Sequence, residues 1–166
     1  MHKLRKLVKN RDYIKSSVFG IEDSLVSTTG VIAGVAVASN DQKIVIVAGL
    51  VTIAVEAVSM AAGEFISEET EIEMAPKDKT SPIISGGIMF ISYFVAGFIP
   101  LLPILLFPLP QSIYFSVIAA LIGLFCLGLL KGKFTKKNLI KSGIQVAVVG
   151  GIATALGILV GIVFKV

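Results

Sequence analysis

The feature that most constrains this chain is a series of five apolar stretches, each long enough to cross a hydrocarbon layer about 30 Å thick. They cover residues 18–38, 44–66, 83–102, 112–130 and 143–164. Hydrophobic residues make up 55% of the chain, charged residues only 16%, and the mean hydropathy is +0.91, which excludes an ordinary soluble domain. Because backbone groups in lipid must satisfy their hydrogen bonds locally, such stretches form helices. The sequence therefore predicts an all-α membrane protein, with residues 1–166 forming a single domain of five transmembrane helices.

Basic residues are distributed unequally between the two ends of these stretches. Only Lys43 and Lys165 fall on one side. The other side holds the remaining Lys and Arg residues: Lys3, Arg5, Lys6, Lys9, Arg11, Lys15, Lys77, Lys79, Lys131, Lys133, Lys136, Lys137 and Lys141. Since cytosolic loops are enriched in Lys and Arg, this pattern predicts a cytosolic N-terminus and an extracytosolic C-terminus. The same clustering explains the net charge of +4 without any nucleic-acid partner.

The second apolar stretch carries acids inside the membrane. Glu56, Met60 and Glu64 are spaced four residues apart, so on a helix they fall within roughly 80° of one face. A carboxylate at mid-bilayer costs about 2.5 kcal/mol or more, and such acids usually mark ion pathways. Two carboxylates and a thioether are suitable ligands for a borderline-soft divalent metal. Packing alone remains an alternative role for Met60, and Glu64 could instead extend to the cytosolic interface.

A further acid lies in the first stretch. Asp23, Ser27, Gly30 and Gly34 share one helical face, where small residues let a partner helix come close. At 1.5 Å rise per residue, Asp23 and Met60 lie at similar depths, so we expect them to meet across a helix pair. Carboxylates brought together either share protons or bind a cation, which is a physical basis for metal/proton exchange. The polar residues of this stretch also suggest a helix that lines an interior, with an irregular start near Phe19 and Gly20.

The acidic linker of residues 67–81 continues out of the second helix on the cytosolic side. Glu64, Glu68 and Glu71 share a helical face there. They are either a funnel through which a cation enters or a solvated helix end. The Pro-rich segment of residues 100–110 is expected to break the helix on the opposite side.

Other chemistry is not indicated. The sequence has no phosphate-cradling glycine loop and no nucleophile paired with a base, so we do not expect an enzyme or a resident cofactor. The lone Cys126 can form no internal disulfide. The basic N-terminal run lacks a convincing cleavage site and is treated as part of the mature chain. Small residues at four-residue spacing, such as Gly157 and Gly161, could pack helices within one chain or between two copies. Five short helices hardly enclose an ion path alone, which favours a homodimer.

Two motifs, GIEDSLVSTTGVIAGVA in the first stretch and EAVSMAAGEFIS in the second, resemble the vacuolar iron transporter family. The resemblance implies a homodimer that moves Fe²⁺, and often Mn²⁺, out of the cytosol in exchange for protons, through a pathway between the first two helices of each subunit. It assigns Asp23 as the acid of the first helix, and Met60 with Glu56 or Glu64 as ligands of the second. Well-known members carry a Glu- and Met-rich cytosolic domain between the second and third spans. Residues 67–81 are too few for it, so this chain resembles a short member.

We therefore expect a divalent-metal exporter whose partners are the metal ion, the lipid bilayer and a second copy of the chain. The predicted metal site comprises Asp23, Glu56, Met60 and Glu64, with Glu68 and Glu71 at the cytosolic approach. With no organellar sorting signal evident, we expect a plasma membrane. The alternatives are a proton-coupled transporter of another small substrate and a membrane scaffold that does not transport.

Overall fold

A computed structural model describes the backbone of residues 2–74 and 81–165 and the side chains of residues 11–74 and 81–165. The described residues form five helices, which are α1 (His2–Ser39), α2 (Gln42–Met74), α3 (Pro82–Leu106), α4 (Gln111–Thr135) and α5 (Leu139–Val163). Each is long and apolar enough to cross a membrane, and this part of the chain contains no strand. The predicted all-α class with five membrane-length helices is confirmed. Lys77, Lys79 and the rest of the linker over residues 75–80 lie outside the described residues, as do the side chains of residues 1–10.

Helix α1 lies at the centre of the bundle and packs against all four other helices. Leu25 and Ile32 on α1 are completely or almost completely buried, and each anchors a separate apolar cluster. The expected irregular start near Phe19 and Gly20 is wrong, because α1 runs through both residues as one helix. Gly20 instead makes room for α3. A Cβ added there would lie 3.0 Å from the sulfur of Met89 and 3.1 Å from its carbonyl oxygen.

The Pro-rich segment also differs from the prediction. Pro100 and Pro103 lie inside α3, which continues to Leu106, so the helix breaks only at the connection over residues 107–110. Proline removes backbone donors, and neighbouring helices supply others to α3 carbonyls, as is common in membranes. Ser116 Oγ of α4 donates to the Pro100 carbonyl oxygen at 2.7 Å, and Gln42 Nε2 of α2 donates to the Ile104 carbonyl oxygen at 2.7 Å.

Helices α1 and α5 approach through glycine. A Cβ on Gly157 would lie 2.2 Å from the carbonyl oxygen of Gly30, and one on Gly161 would lie 2.2 Å from that of Gly34. These distances allow only hydrogen on the α carbons of Gly157 and Gly161. The two glycine pairs, which could have joined separate copies, therefore pack helices within one chain.

Helix α2 is longer than a membrane requires. Its 33 residues extend about 50 Å at 1.5 Å per residue, against a hydrocarbon core of about 30 Å. The helix continues without a break from the apolar run into residues 67–74. The first part of the acidic linker is thus a rigid extension of the helix that carries Glu56, Met60 and Glu64.

Candidate functional site

A hydrogen-bonded chain of polar side chains joins α1, α2 and α3 within their membrane-length segments. The Tyr93 hydroxyl of α3 donates to the carboxylate of Glu56 on α2. Ser27 Oγ of α1 lies 2.5 Å from the same hydroxyl oxygen. Because that hydroxyl's single proton goes to Glu56, Ser27 is the donor in the second bond. The order of the bonds is therefore Ser27 to Tyr93 to Glu56.

The main chain at Tyr93 is also held by a hydrogen bond. Its side chain is 0% exposed, and Ser24 Oγ of α1 donates to the Tyr93 carbonyl oxygen at 2.6 Å. Gly97, one turn further along α3, lets α1 and α2 come near, because a Cβ there would lie 2.6 Å from Ile53 and 3.0 Å from Ser24. The phenol therefore has little freedom to leave Glu56.

Asp23 lies on α1 one helical turn before Ser27, and its side chain is half-buried. The charges of Glu56 and of the adjacent Glu22 both act on its carboxylate. Two acids from different helices thus interact inside the bundle. Their repulsion is relieved when one of them holds a proton or when both face a cation.

Glu64 is held against α1 at a different level. Ser16 Oγ donates to Glu64 Oε1 at 2.5 Å, and Ser16 is 2% exposed. The bond fixes Glu64 against α1 just before the apolar run begins, and its role as a metal ligand stays a prediction. Met60 lies between Glu56 and Glu64 on α2 and is half-buried. Its assignment as a ligand, rather than a packing residue, stays a prediction.

The predicted site is not assembled as one cluster in a single chain. Among residues 11–74 and 81–165, no three His, Cys, Asp or Glu side chains lie close enough to hold a metal ion. The charge of Glu56 acts on Asp23, whereas Glu64 is tied to Ser16, just before the apolar run of α1. One chain thus presents two acidic positions at separate levels.

The two predicted residues on the extension of α2 have different environments. Glu68 is only 8% exposed, although it lies beyond the apolar run, whereas Glu71 is exposed. Both interact with neighbouring groups. Burial of Glu68 disagrees with a uniformly solvated acidic face.

Sequence reasoning missed Tyr93 and Ser16, which donate to Glu56 and Glu64. The chain has three tyrosines, and Tyr93 is the one within the third apolar stretch, beside Ser92. A hydroxyl in a stretch otherwise so apolar needs a partner, which was the available signal. Ser16 gave no comparable signal, because it precedes the apolar stretch among charged residues.

Comparison with known proteins points in one direction. The model of the VIT family matches residues 14–80 and 68–162. Vacuolar iron transporter 1 of Arabidopsis thaliana is 24% identical over 217 residues, covering 93% of this chain and 87% of the relative. Vacuolar iron transporter homolog 3 of the same plant is 26% identical, covering 89% of this chain and 81% of the relative. An uncharacterized protein of Methanocaldococcus jannaschii is 29% identical, covering 84% and 83%.

These matches also bear on two of the expectations. The two segments matched to the family model overlap at residues 68–80, around the connection between α2 and α3. The 217-residue alignment is longer than the 166 residues of this chain, so that relative contains residues absent here. Both observations agree with a short member. The plasma-membrane expectation is wrong, because the named relatives are vacuolar iron transporters.

Proposed function

The chain belongs to the VIT family, and we propose that it moves a divalent metal, Fe²⁺ or Mn²⁺, out of the cytosol across a vacuole-type membrane in exchange for protons. The observation that carries this proposal is the hydrogen bond that holds Glu56 to Tyr93 between membrane-length helices, with Asp23 one turn from Ser27 of the same polar chain. Acids inside membrane-length helices are rare outside ion and proton pathways. Relatives named iron transporters support iron as the metal.

The proposed exchange follows from the competition between a proton and a metal for the same oxygens. With metal bound, Asp23 and Glu56 are both ionised and supply hard oxygen ligands. When the metal leaves, their mutual repulsion favours proton uptake by one of them. Tyr93 keeps Glu56 at one position through both states. Met60, one turn away on α2, supplies a softer thioether ligand that Fe²⁺ accepts more readily than Mg²⁺ does.

We propose further that two copies form the pathway. One protomer offers two acidic positions rather than a full ligand set, and a second copy would double them. An apolar groove of about 450 Å³ lies along α1 and α5 and is lined in part by Ser27, Gly30 and Gly34. Because Ser27 also bonds Tyr93, a copy seated in this groove would lie next to the polar chain. The proposed orientation places the N-terminus in the cytosol, on the side with most of the basic residues.

Reconstituted vesicles test this proposal. Purified protein is placed in proteoliposomes loaded with a metal-sensitive dye, and Fe²⁺ or Mn²⁺ is added with and without a pH gradient. We expect uptake by the wild type that rises with the gradient and is lost in Asp23→Asn. Asp41→Asn is the matched control, since Asp41 is exposed and its cap on the Lys43 amide can be made by Asn as well.

The results separate the proposal from its alternatives. Absence of metal uptake by the wild type would refute metal transport. Proton movement without metal movement would favour a proton-coupled transporter of another substrate. Equal uptake by Asp23→Asn and the wild type would refute the site, and crosslinking in detergent checks the homodimer.

A further inference from the structure

A second cavity lies at the end of the bundle where α1 begins its apolar run and α4 finishes. Its volume is about 750 Å³, and its walls come from residues 11–22 of α1 and 131–135 of α4. The apolar run of α1 begins at about Val18 and that of α4 ends at about Leu130, so the lining residues lie at one end of both runs. The cavity therefore opens at the level of the lipid headgroups, not at mid-membrane.

The charged side chains that line this cavity are mostly cationic. Arg11, Lys15 and Lys131 contribute three positive charges, and Glu22 contributes one negative charge. The two helices thus converge on a concave surface with an excess of positive charge. Lys and Arg at the edge of a membrane are attracted to the headgroups of anionic lipids.

The remaining lining is apolar and accessible. Phe19 is 50% exposed, Phe134 is 62% exposed and Ile14 is 39% exposed, and all three line the same cavity. Cations beside exposed aromatic and aliphatic side chains match both parts of a phospholipid, the phosphate and the upper acyl chain. A free anion would make use of the cations only.

We propose that this cavity binds one anionic phospholipid of the adjoining leaflet, with the phosphate at Arg11, Lys15 and Lys131 and an acyl chain against Phe19 and Phe134. Basic pockets between transmembrane helices are suitable sites for such headgroups. Arginine adds paired donors to phosphate oxygens, and lysine adds point charges. Glu22 faces the same cavity and weakens the attraction. The proposal does not depend on the metal or on the direction of transport.

The test is native mass spectrometry of the full-length protein in detergent, titrated with phosphatidylserine or with phosphatidylcholine of the same acyl chains. We expect bound phosphatidylserine at concentrations where phosphatidylcholine is absent. The double variant Lys15→Gln/Lys131→Gln should bind phosphatidylserine roughly tenfold or more weakly, since two interactions of about 1 kcal/mol are removed. The matched control is Lys137→Gln/Lys141→Gln, with the same charge change at exposed positions on the same end of the bundle.

Two additional measurements keep the proposal falsifiable if the double variant is poorly folded. Glu22→Gln should bind phosphatidylserine more tightly than the wild type, a change of the opposite sign. Glycerol 1-phosphate, which offers the phosphate without acyl chains, should not displace the lipid. Equal binding of the two lipids, equal loss in the control variant, displacement by glycerol 1-phosphate, or no gain in Glu22→Gln would each overturn the proposal.

Discussion

The contact between α1 and α5 makes a prediction that can be worked out from the backbone. In Gly157→Ala, the new Cβ would lie 2.2 Å from the Gly30 carbonyl oxygen, 2.9 Å from its carbon and 3.1 Å from its Cα. All three atoms are backbone, so no side chain can turn aside. Cβ contacts below 3.0 Å essentially never occur, so the helices must separate by roughly 0.8 Å or more at this point.

Two opposing effects set the magnitude. Overpacking costs typically about 1–3 kcal/mol. Replacing Gly by Ala in a helix gains up to about 1 kcal/mol in helix propensity. Overpacking exceeds that gain here, so we expect Gly157→Ala to destabilise the protein by about 1–2 kcal/mol. The matched control is Gly63→Ala in α2, where a Cβ meets nothing within 4 Å and only the propensity gain applies.

Thermal unfolding in detergent, followed with a fluorescent dye that does not react with thiols, measures the change in stability of both variants in one assay. The melting temperature should fall for Gly157→Ala and stay level or rise for Gly63→Ala. A Gly157→Ala protein that melts at or above the wild-type temperature would show that α5 does not lie against α1 as described, and it would remove the reason for regarding these glycines as an intrachain contact.

Three further substitutions test other contacts. Tyr93→Phe removes the hydroxyl that donates to Glu56. Because a hydrogen bond to a charged group contributes about 1.5–3 kcal/mol, metal flux in proteoliposomes should fall about tenfold or more. Unchanged flux would mean that the tyrosine serves only in packing. Gln42→Ala removes a donor to the Ile104 and Phe107 carbonyl oxygens at the end of α3. It should lower the stability measured by thermal unfolding by about 1 kcal/mol and leave the metal flux unchanged. An unchanged stability would mean that other donors satisfy those carbonyls. Met60→Leu conserves volume and should cost less than about 1.5 kcal/mol, so a loss of Fe²⁺ flux at nearly constant melting temperature would identify a ligand, and full flux would return Met60 to packing.

Hydropathy was sufficient to predict five helices, because lipid leaves the backbone few other ways to satisfy its hydrogen bonds. Helix propensity was a poorer guide: it predicted a break at Pro100 and Pro103, and both lie inside α3. Gln42 and Ser116 of other helices donate to the Ile104 and Pro100 carbonyl oxygens there, and no local pattern announces such distant partners. The glycine spacing in α1 predicted a close approach of helices, but only the structure identified α5 as the partner.

The acids of the candidate site show a similar division. Asp23, Glu56 and Glu64 stood out because charge is costly in an apolar segment. Charged residues in such a segment can be recognised from the sequence alone. The donors that bond Glu64 and Glu56 carry no charge and come from other helices: Ser16 for Glu64 and Tyr93 for Glu56. A hydroxyl among apolar residues is common enough that its position along the chain does not reveal which acid it will reach.

The source of those partners links folding to the site. A carboxylate in the membrane costs about 2.5 kcal/mol or more. The hydrogen bond from Tyr93 that offsets this cost for Glu56 comes from outside α2. The compensating donor is Tyr93 of α3, which in turn bonds Ser27 of α1, so the polar chain exists only when three helices are packed. Ser27 lies one turn from Gly30, the residue against which Gly157 of α5 packs. A displacement of α5 that moves α1 would therefore lengthen the Ser27 contact with Tyr93, and Gly157→Ala should reduce metal flux as well as stability even though it touches no acid.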